Sequence, residues 1–251
     1  MKRLVVLGLL VLPLPAALPA ASQSSPALID QGRALFNDPM LSASGQISCA
    51  TCHPLAGHTD NKTYVGLDIV ADGDPKGRST PTLWGSGIRQ AEWSWAGNIP
   101  SIEANIRGII VNRMKGAEPA KETLDALAAY VKSLPNGPAP FLNQDGMLRD
   151  NAQADATRGF ALFSDKAGCM TCHVPASFDK KGAEDVGSGG PFKVPSLRNV
   201  SKTGPYFHDG RFKTLDETVT FMFDFYRKKN DSKETLSDAE KGDIVAFLQT
   251  L

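Results

Sequence analysis

The chain has 251 residues, 41% of them hydrophobic, and its 27 Lys and Arg balance 27 Asp and Glu, leaving a formal net charge of zero. That composition is globular: no basic excess is present to neutralise a phosphate backbone, which argues against a nucleic-acid binder, and no acidic excess favours disorder. The long apolar run, Leu4 to Leu12, is broken at Pro13 and falls short of the roughly 20 residues that a bilayer-crossing helix needs.

In chain order, the first residues read as an address. Lys2 and Arg3 make a positive start, Leu4 to Leu12 an apolar stretch and Ala16 to Ser22 a small-residue end, the pattern of a secretory signal peptide. Residues 1–22 are therefore expected to be removed, the periplasm is the expected location, and no membrane span is expected in what remains. The mature part, roughly 230 residues, is long enough for two small cores.

Next come Gly32-Arg-Ala-Leu-Phe36 and Cys49-Ala-Thr-Cys52-His53. Four cysteines in an exported chain would ordinarily pair as two disulfides, because the compartment is oxidising. The spacing points elsewhere. Cys169-Met-Thr-Cys172-His173 repeats the C-x-x-C-H pattern with Thr at the same inner place, and the two motifs use every cysteine of the chain. This is the attachment signature of a c-type haem. Two thiols add to the two vinyl groups of one porphyrin, and the next residue turns its imidazole onto the iron. A thioredoxin-like pair does not require the following His, and a zinc site is the other use of Cys with His. Two copies that consume all four thiols favour two covalent haems, held by Cys49, Cys52, Cys169 and Cys172, with His53 and His173 as proximal ligands.

The repeat extends beyond the motifs. Gly159-Phe-Ala-Leu-Phe163 precedes the second motif as Gly32 to Phe36 precedes the first; Pro81-Thr-Leu83 matches Pro195-Ser-Leu197, and Trp95-Ala-Gly97 matches His208-Asp-Gly210. Each half closes on an amphipathic helix. Lys121 to Leu134 carries Leu124, Leu127, Val131 and Leu134 at helical spacing and stops at Pro135-Asn-Gly137. The second starts at Ser237, whose Glu240 completes a capping box, and runs through Ile244, Val245, Phe247 and Leu248 to Leu251. Few stretches alternate like strands. The expected fold is mainly α, with two cytochrome c-like haem domains in tandem duplication, at 23–137 and 138–251, joined around Pro135 to Pro140.

With the motifs set aside, His58 and His208 remain as imidazoles, and Met40, Met114, Met147 and Met222 as usable thioethers. Thr214-Leu-Asp-Glu217 reads as a capping box that opens a helix with Val219, Met222, Phe223 and Tyr226 along one face. Met222, two turns in, can reach the iron of the second haem. His208 competes for that iron, and Met is also a common core filler.

Phe192-Lys-Val-Pro-Ser-Leu-Arg-Asn-Val200, Thr203-Gly-Pro-Tyr-Phe-His-Asp-Gly210 and Leu215-Asp-Glu-Thr-Val219 resemble the second haem domain of the bacterial dihaem cytochrome c peroxidase and MauG superfamily. With the first half, the resemblance covers most of the mature chain. It implies that Met222 ligates the higher-potential haem, since the peroxidases have Met there and the MauG branch has Tyr; Met ligation raises the potential of the iron. Arg78-Ser-Thr-Pro-Thr-Leu83 and Trp93-Ser-Trp-Ala-Gly97 are similar to the segment that carries a Trp between the two haems, by count Trp95. Two family features are unmatched. Ser79 stands where the family gives an Asn to an interdomain calcium, which weakens the expectation of calcium. Lys115 stands where the family has a Glu that acts as acid and base on peroxide. Aligning the halves through Gly97 and Gly210 sets Ile109 opposite Met222, so haem 1 is either open or closed by Met114 or by His58.

The resemblance implies an oxidoreductase. A small periplasmic donor protein, a cytochrome c or a cupredoxin, gives single electrons at the Met222 haem, Trp95 helps them cross, and hydrogen peroxide is reduced at haem 1. The alternatives are a dihaem electron-transfer cytochrome with both irons six-coordinate, which Met114 would produce, and a MauG-like enzyme acting on a protein partner. Arg113, Glu92 and Glu103, charged residues near the first haem, read as a solvated face. A homodimer is left open.

Overall fold

The computed structural model of the protein describes residues 24–64, 77–89 and 92–251; the expected signal peptide lies outside them. The first half contains α1 (Pro26–Phe36), the short helices α2 (Cys49–Cys52) and α3 (Pro54–Gly57), β1 (Thr63–Tyr64) paired antiparallel with β2 (Arg78–Ser79), α4 (Ile102–Gly108) running into a π-helical turn at Ile109–Arg113, and α5 (Lys121–Ser133). The second contains α6 (Ala154–Ser164), β3 (Ala183–Asp185) paired antiparallel with β4 (Pro191–Lys193), α7 (Leu215–Lys229) and α8 (Asp238–Leu248). Helices dominate, as expected. Among the described residues no helix is long and apolar enough to cross a membrane.

Each half is built on one helix pair, α1 on α5 and α6 on α8. A glycine sets each crossing. At Gly32 a Cβ would lie 2.0 Å from the Ala126 carbonyl oxygen of α5, and at Gly159 one would lie 1.8 Å from the Asp243 carbonyl oxygen of α8. Only a hydrogen fits, so the backbones touch. One turn further on, Phe36 and Phe163 are buried in their cores, where burying such a ring contributes about 1.5–3 kcal/mol. The repeated Gly-x-x-x-Phe is thus a helix-crossing device.

The first core gathers Phe36, Ile110, Met114, Leu127, Val131 and Leu134. The second gathers Phe163, Phe178, Ile244, Phe247 and Leu248, with Phe247 lying 5.1 Å from Phe163 and 6.0 Å from Phe178 between ring centres.

The helix starts follow local chemistry. Ser25 Oγ accepts from Leu28 N–H ahead of Pro26 in α1. Both expected capping boxes form: Thr214 with Glu217 on α7 and Ser237 with Glu240 on α8. The ends differ slightly from expectation. Leu134 caps α5 instead of extending it. The last helix stops at Leu248, because Thr250 Oγ1 bonds back to the Phe247 carbonyl and the Leu251 carbonyl accepts from Asn199 N–H at 2.9 Å.

The halves meet at Ser79. Its N–H donates to the His208 carbonyl at 2.7 Å, its Oγ donates to the Pro205 carbonyl at 3.2 Å, and its carbonyl accepts from Trp95 Nε1 at 2.8 Å. The Trp95 carbonyl in turn accepts from Lys193 N–H of β4 at 2.8 Å.

Candidate functional site

Both attachment turns close in the same way: His53 N–H donates to the Cys49 carbonyl and His173 N–H to the Cys169 carbonyl, each at 2.9 Å. The shared Thr ties each turn to the residue ahead of it. Thr51 Oγ1 accepts from Ser48 N–H at 3.0 Å, and Thr171 Oγ1 donates to the Gly168 carbonyl at 2.7 Å. Gly168 is required there, since its φ is +64° and a Cβ would strike the Tyr226 ring.

The four thiols form no disulfide. Burial pushes Cys49 up to about 11 and Cys169 up to about 12, so both are neutral thiols in apolar surroundings. Burial also pushes His53 down to about 4, helped by the charge of Arg113, and lowers His173. Two neutral imidazoles result, which is the form that binds metal.

The ring of His173 is oriented by the Phe178 carbonyl, 2.9 Å from Nδ1. A carbonyl only accepts, so Nδ1 carries the proton and Nε2 keeps its lone pair for iron. His58 occupies the same place five residues beyond His53. Its carbonyl favours the protonated ring without reaching hydrogen-bond geometry, and His53 Nδ1 is buried with no partner. Thiol pairs, neutral imidazoles and orientation all fit two porphyrins attached at these turns.

The distal candidates are placed differently from one another. Met222 is half-buried on α7, flanked by the buried Val219 and Phe223. Met114 follows the π-helical turn, its N–H bonded to the Ile109 carbonyl, and its side chain is buried in the first core. Such π-turns recur at functional sites. Lys115, next to it, is exposed at φ +53°. His58 Nδ1 lies 3.0 Å from Thr82 Oγ1, and its ring stacks on Trp84 at 4.5 Å. His208 is buried, stacked on Phe192 at 3.5 Å and 13°, and 6.4 Å from Trp95 at 69°. Trp95 is therefore where the halves meet, tied by hydrogen bonds to both.

Several charged groups gather here, and Asp179, Lys193 and Arg89 among them had no signal in the sequence. Asp179 is fully buried; it accepts from Ser177 Oγ and lies 3.5 Å from Lys193 Nζ. Burial pushes the Arg89 guanidinium down to about 10, and the Asp179 charge across the junction opposes that shift. Arg113, expected from the sequence on a solvated face, is instead desolvated near Cys52, whereas Glu103, expected on the same face, pairs at 2.8 Å with Lys132 of α5. Partners so far apart along the chain leave no local pattern to find. Among the described residues no group of three or more His, Cys, Asp and Glu is placed to hold a metal ion, and the polar atoms of Ser79 are all engaged in the bonds given above.

A family model for di-haem cytochrome c peroxidase matches residues 26–141, and a cytochrome c model matches residues 156–251. The chain is 34% identical to the methylamine utilization protein MauG of Methylorubrum extorquens, over 93% of this chain and 80% of that one. It is 29% identical to cytochrome c peroxidase Ccp of Escherichia coli K12, over 96% of this chain and 60% of that one. The diheme peroxidase BthA of Burkholderia thailandensis shares the fold, with a TM-score of 0.68 at 18% identity, over 90% of this chain and 86% of that one.

Proposed function

Because the chain belongs to the family of dihaem cytochrome c peroxidases and MauG proteins, we propose that it is an exported peroxidase-type oxidoreductase that takes single electrons from a small donor protein and uses them to reduce hydrogen peroxide. Its cofactors are two c-type haems. When bound, the haem of the second half supplies the centre where electrons arrive, and that of the first supplies the iron where peroxide is reduced.

The chain's own residues divide the remaining work. Cys49, Cys52, Cys169 and Cys172 would hold the two porphyrins, and His53 and His173 would serve as iron ligands in the neutral form that burial enforces. Met222 would be the second ligand that holds the haem of the second half, where a thioether would raise the potential and so favour accepting electrons. Trp95 links the halves. Its Nε1–H donates to the Ser79 carbonyl, an acceptor that does not take up protons, so the indole keeps its proton and passes an electron alone. An open distal face in the first half is supported by the two side chains that could close it: Met114 is packed in the first core, and His58 is engaged by Thr82 and Trp84.

The observation that carries this reading is the pair of attachment turns with the same backbone closure, in two cores that meet at Trp95. EPR of the ferric protein should contain a high-spin component beside a low-spin one. Met222→Ala should remove the low-spin Met signature, and Met114→Ala should leave the high-spin component unchanged. Peroxide-dependent oxidation of a reduced small cytochrome c or cupredoxin should accompany that spectrum. A wholly low-spin spectrum in every redox state, altered by Met114→Ala, would establish an electron carrier instead. The 34% identity to MauG supports a second reading, oxidation of a protein partner; peroxide-dependent change in such a partner, without reaction of a small donor, would select it.

A further inference from the structure

Tyr64, the last residue of β1, is half-buried, and its hydroxyl donates to Asp60 Oδ2 at 2.5 Å. Among the described residues no other tyrosine hydroxyl donates to a carboxylate. The carboxylate is held for that bond from two sides. Its other oxygen, Oδ1, accepts from Lys62 N–H at 3.1 Å, and the Asp60 N–H donates to the Cys52 carbonyl at 3.1 Å, which ties the residue to the first attachment turn. Tyr64 is fixed in turn by its antiparallel pairing with Arg78 of β2.

Two further neighbours decide what the pair can do. Cys52 is the other hydrogen-bonding neighbour of the phenol, so the phenol stands next to the sulfur through which the first porphyrin would be attached. Arg113, desolvated, places its charge beside both Cys52 and Tyr64. The Asp60 bond first, and burial after it, hold the phenol proton well above its ordinary range, so the resting side chain is neutral. A phenol that loses an electron becomes a strong acid, and a positive ring beside the Arg113 guanidinium is unfavourable. Oxidation of Tyr64 therefore requires the proton to leave with the electron, and Asp60 is in place to take it. Trp95 has no such base, because its Nε1–H faces the Ser79 carbonyl.

We propose that Tyr64 is an internal one-electron donor to the first haem, with Asp60 as its proton acceptor. The inference rests on the peroxidase reading, since hydrogen peroxide is the oxidant and withdraws electrons through the first haem. When donor protein runs short, one electron passes from Tyr64 to that oxidised haem, the phenol O–H bond breaks, and an O–H bond forms on Asp60 Oδ2. The products are a neutral tyrosyl radical, a protonated Asp60 and a haem reduced by one electron. A later electron from the donor protein, with the proton returned by Asp60, restores the phenol.

The test mixes donor-free, haem-loaded protein with hydrogen peroxide and freezes it at intervals for EPR, with the Soret band followed in parallel. A narrow radical whose hyperfine splitting collapses on labelling with ring-deuterated tyrosine is expected, and Tyr64→Phe should lack it. Asp60→Asn keeps an oxygen facing the phenol but removes the base, and should slow the appearance of the radical by about 100-fold or more; the Soret response to peroxide should persist in both variants. Should Tyr64→Phe fail to load haem, the rate in Asp60→Asn, where Tyr64 remains, decides alone. A Soret response with no tyrosyl signal, the same signal in Tyr64→Phe, or an undiminished rate in Asp60→Asn would each overturn the proposal and leave the peroxidase reading standing. No Soret response in the wild type would overturn both.

Discussion

In the first half α1 crosses α5 at Gly32, and in the second α6 crosses α8 at Gly159, with a buried Phe one turn further on in each. Through the attachment turns the halves repeat one another, down to the bond from His N–H to the first Cys carbonyl. Beyond the turns they part. The first half has α4, seven residues long, which gives way to a π-helical turn and to Met114 in the core. The second has α7, 15 residues long, boxed at its start and carrying Met222 at mid-length. The difference teaches that bond chemistry holds the attachment side of a haem site to one geometry. The opposite side is built by an element whose length and register are free to change, and there two copies of one design can take different roles.

The likeness of the frames is tested most severely at the phenylalanines. Phe36→Ala and Phe163→Ala should each destabilise by about 3–5 kcal/mol, read from denaturation midpoints; similar losses keep the frames equivalent, and a loss confined to one ends the equivalence. Gly32→Ala and Gly159→Ala come next. Each forces a Cβ onto a neighbouring carbonyl and should cost about 1–3 kcal/mol through overpacking. Should either be neutral, its helices do not cross where the glycine stands.

The distal helices should then behave differently. Thr214→Ala removes the acceptor for Glu217 N–H and should destabilise by about 1 kcal/mol, with a change in the spectrum of the Met222 side. Ser101→Ala removes the acceptor for Ala104 N–H on α4 and should leave that spectrum unchanged.

The smallest effect is electrostatic and belongs to the second half. Lys166, and after it the Ser237 N–H, holds the Glu240 carboxyl down at about 2. A folded value below the ordinary one stabilises above the ordinary range, and that stabilisation is lost as pH falls from 4.5 toward 2. Midpoints of the wild type should drop more steeply across that window than those of Glu240→Gln. Parallel curves would remove the tie from Lys166, two residues past the end of α6, to Glu240 of α8 from any role in acid stability.

What could be read without coordinates was local. The C-x-x-C-H turns are legible because thioether chemistry demands fixed spacing, and the boxes at Thr214 and Ser237 because a cap is satisfied within four residues. Trp95 came to notice through resemblance alone, and the hydrogen bonds that tie it to Ser79 and to Lys193 had no signal in the sequence. The pairing of His58 with Thr82 and the burial of Asp179 beside Lys193 were not legible, since each depends on residues far apart along the chain.

By itself the sequence determined two copies of a helical unit, each with its C-x-x-C-H motif, because motif spacing and helix periodicity are properties of short stretches. Only the tertiary structure decided how the copies meet at Ser79 and which side chains pack into the first core instead of standing free. Those outcomes are set by the packing of distant segments, where space and partners are settled together.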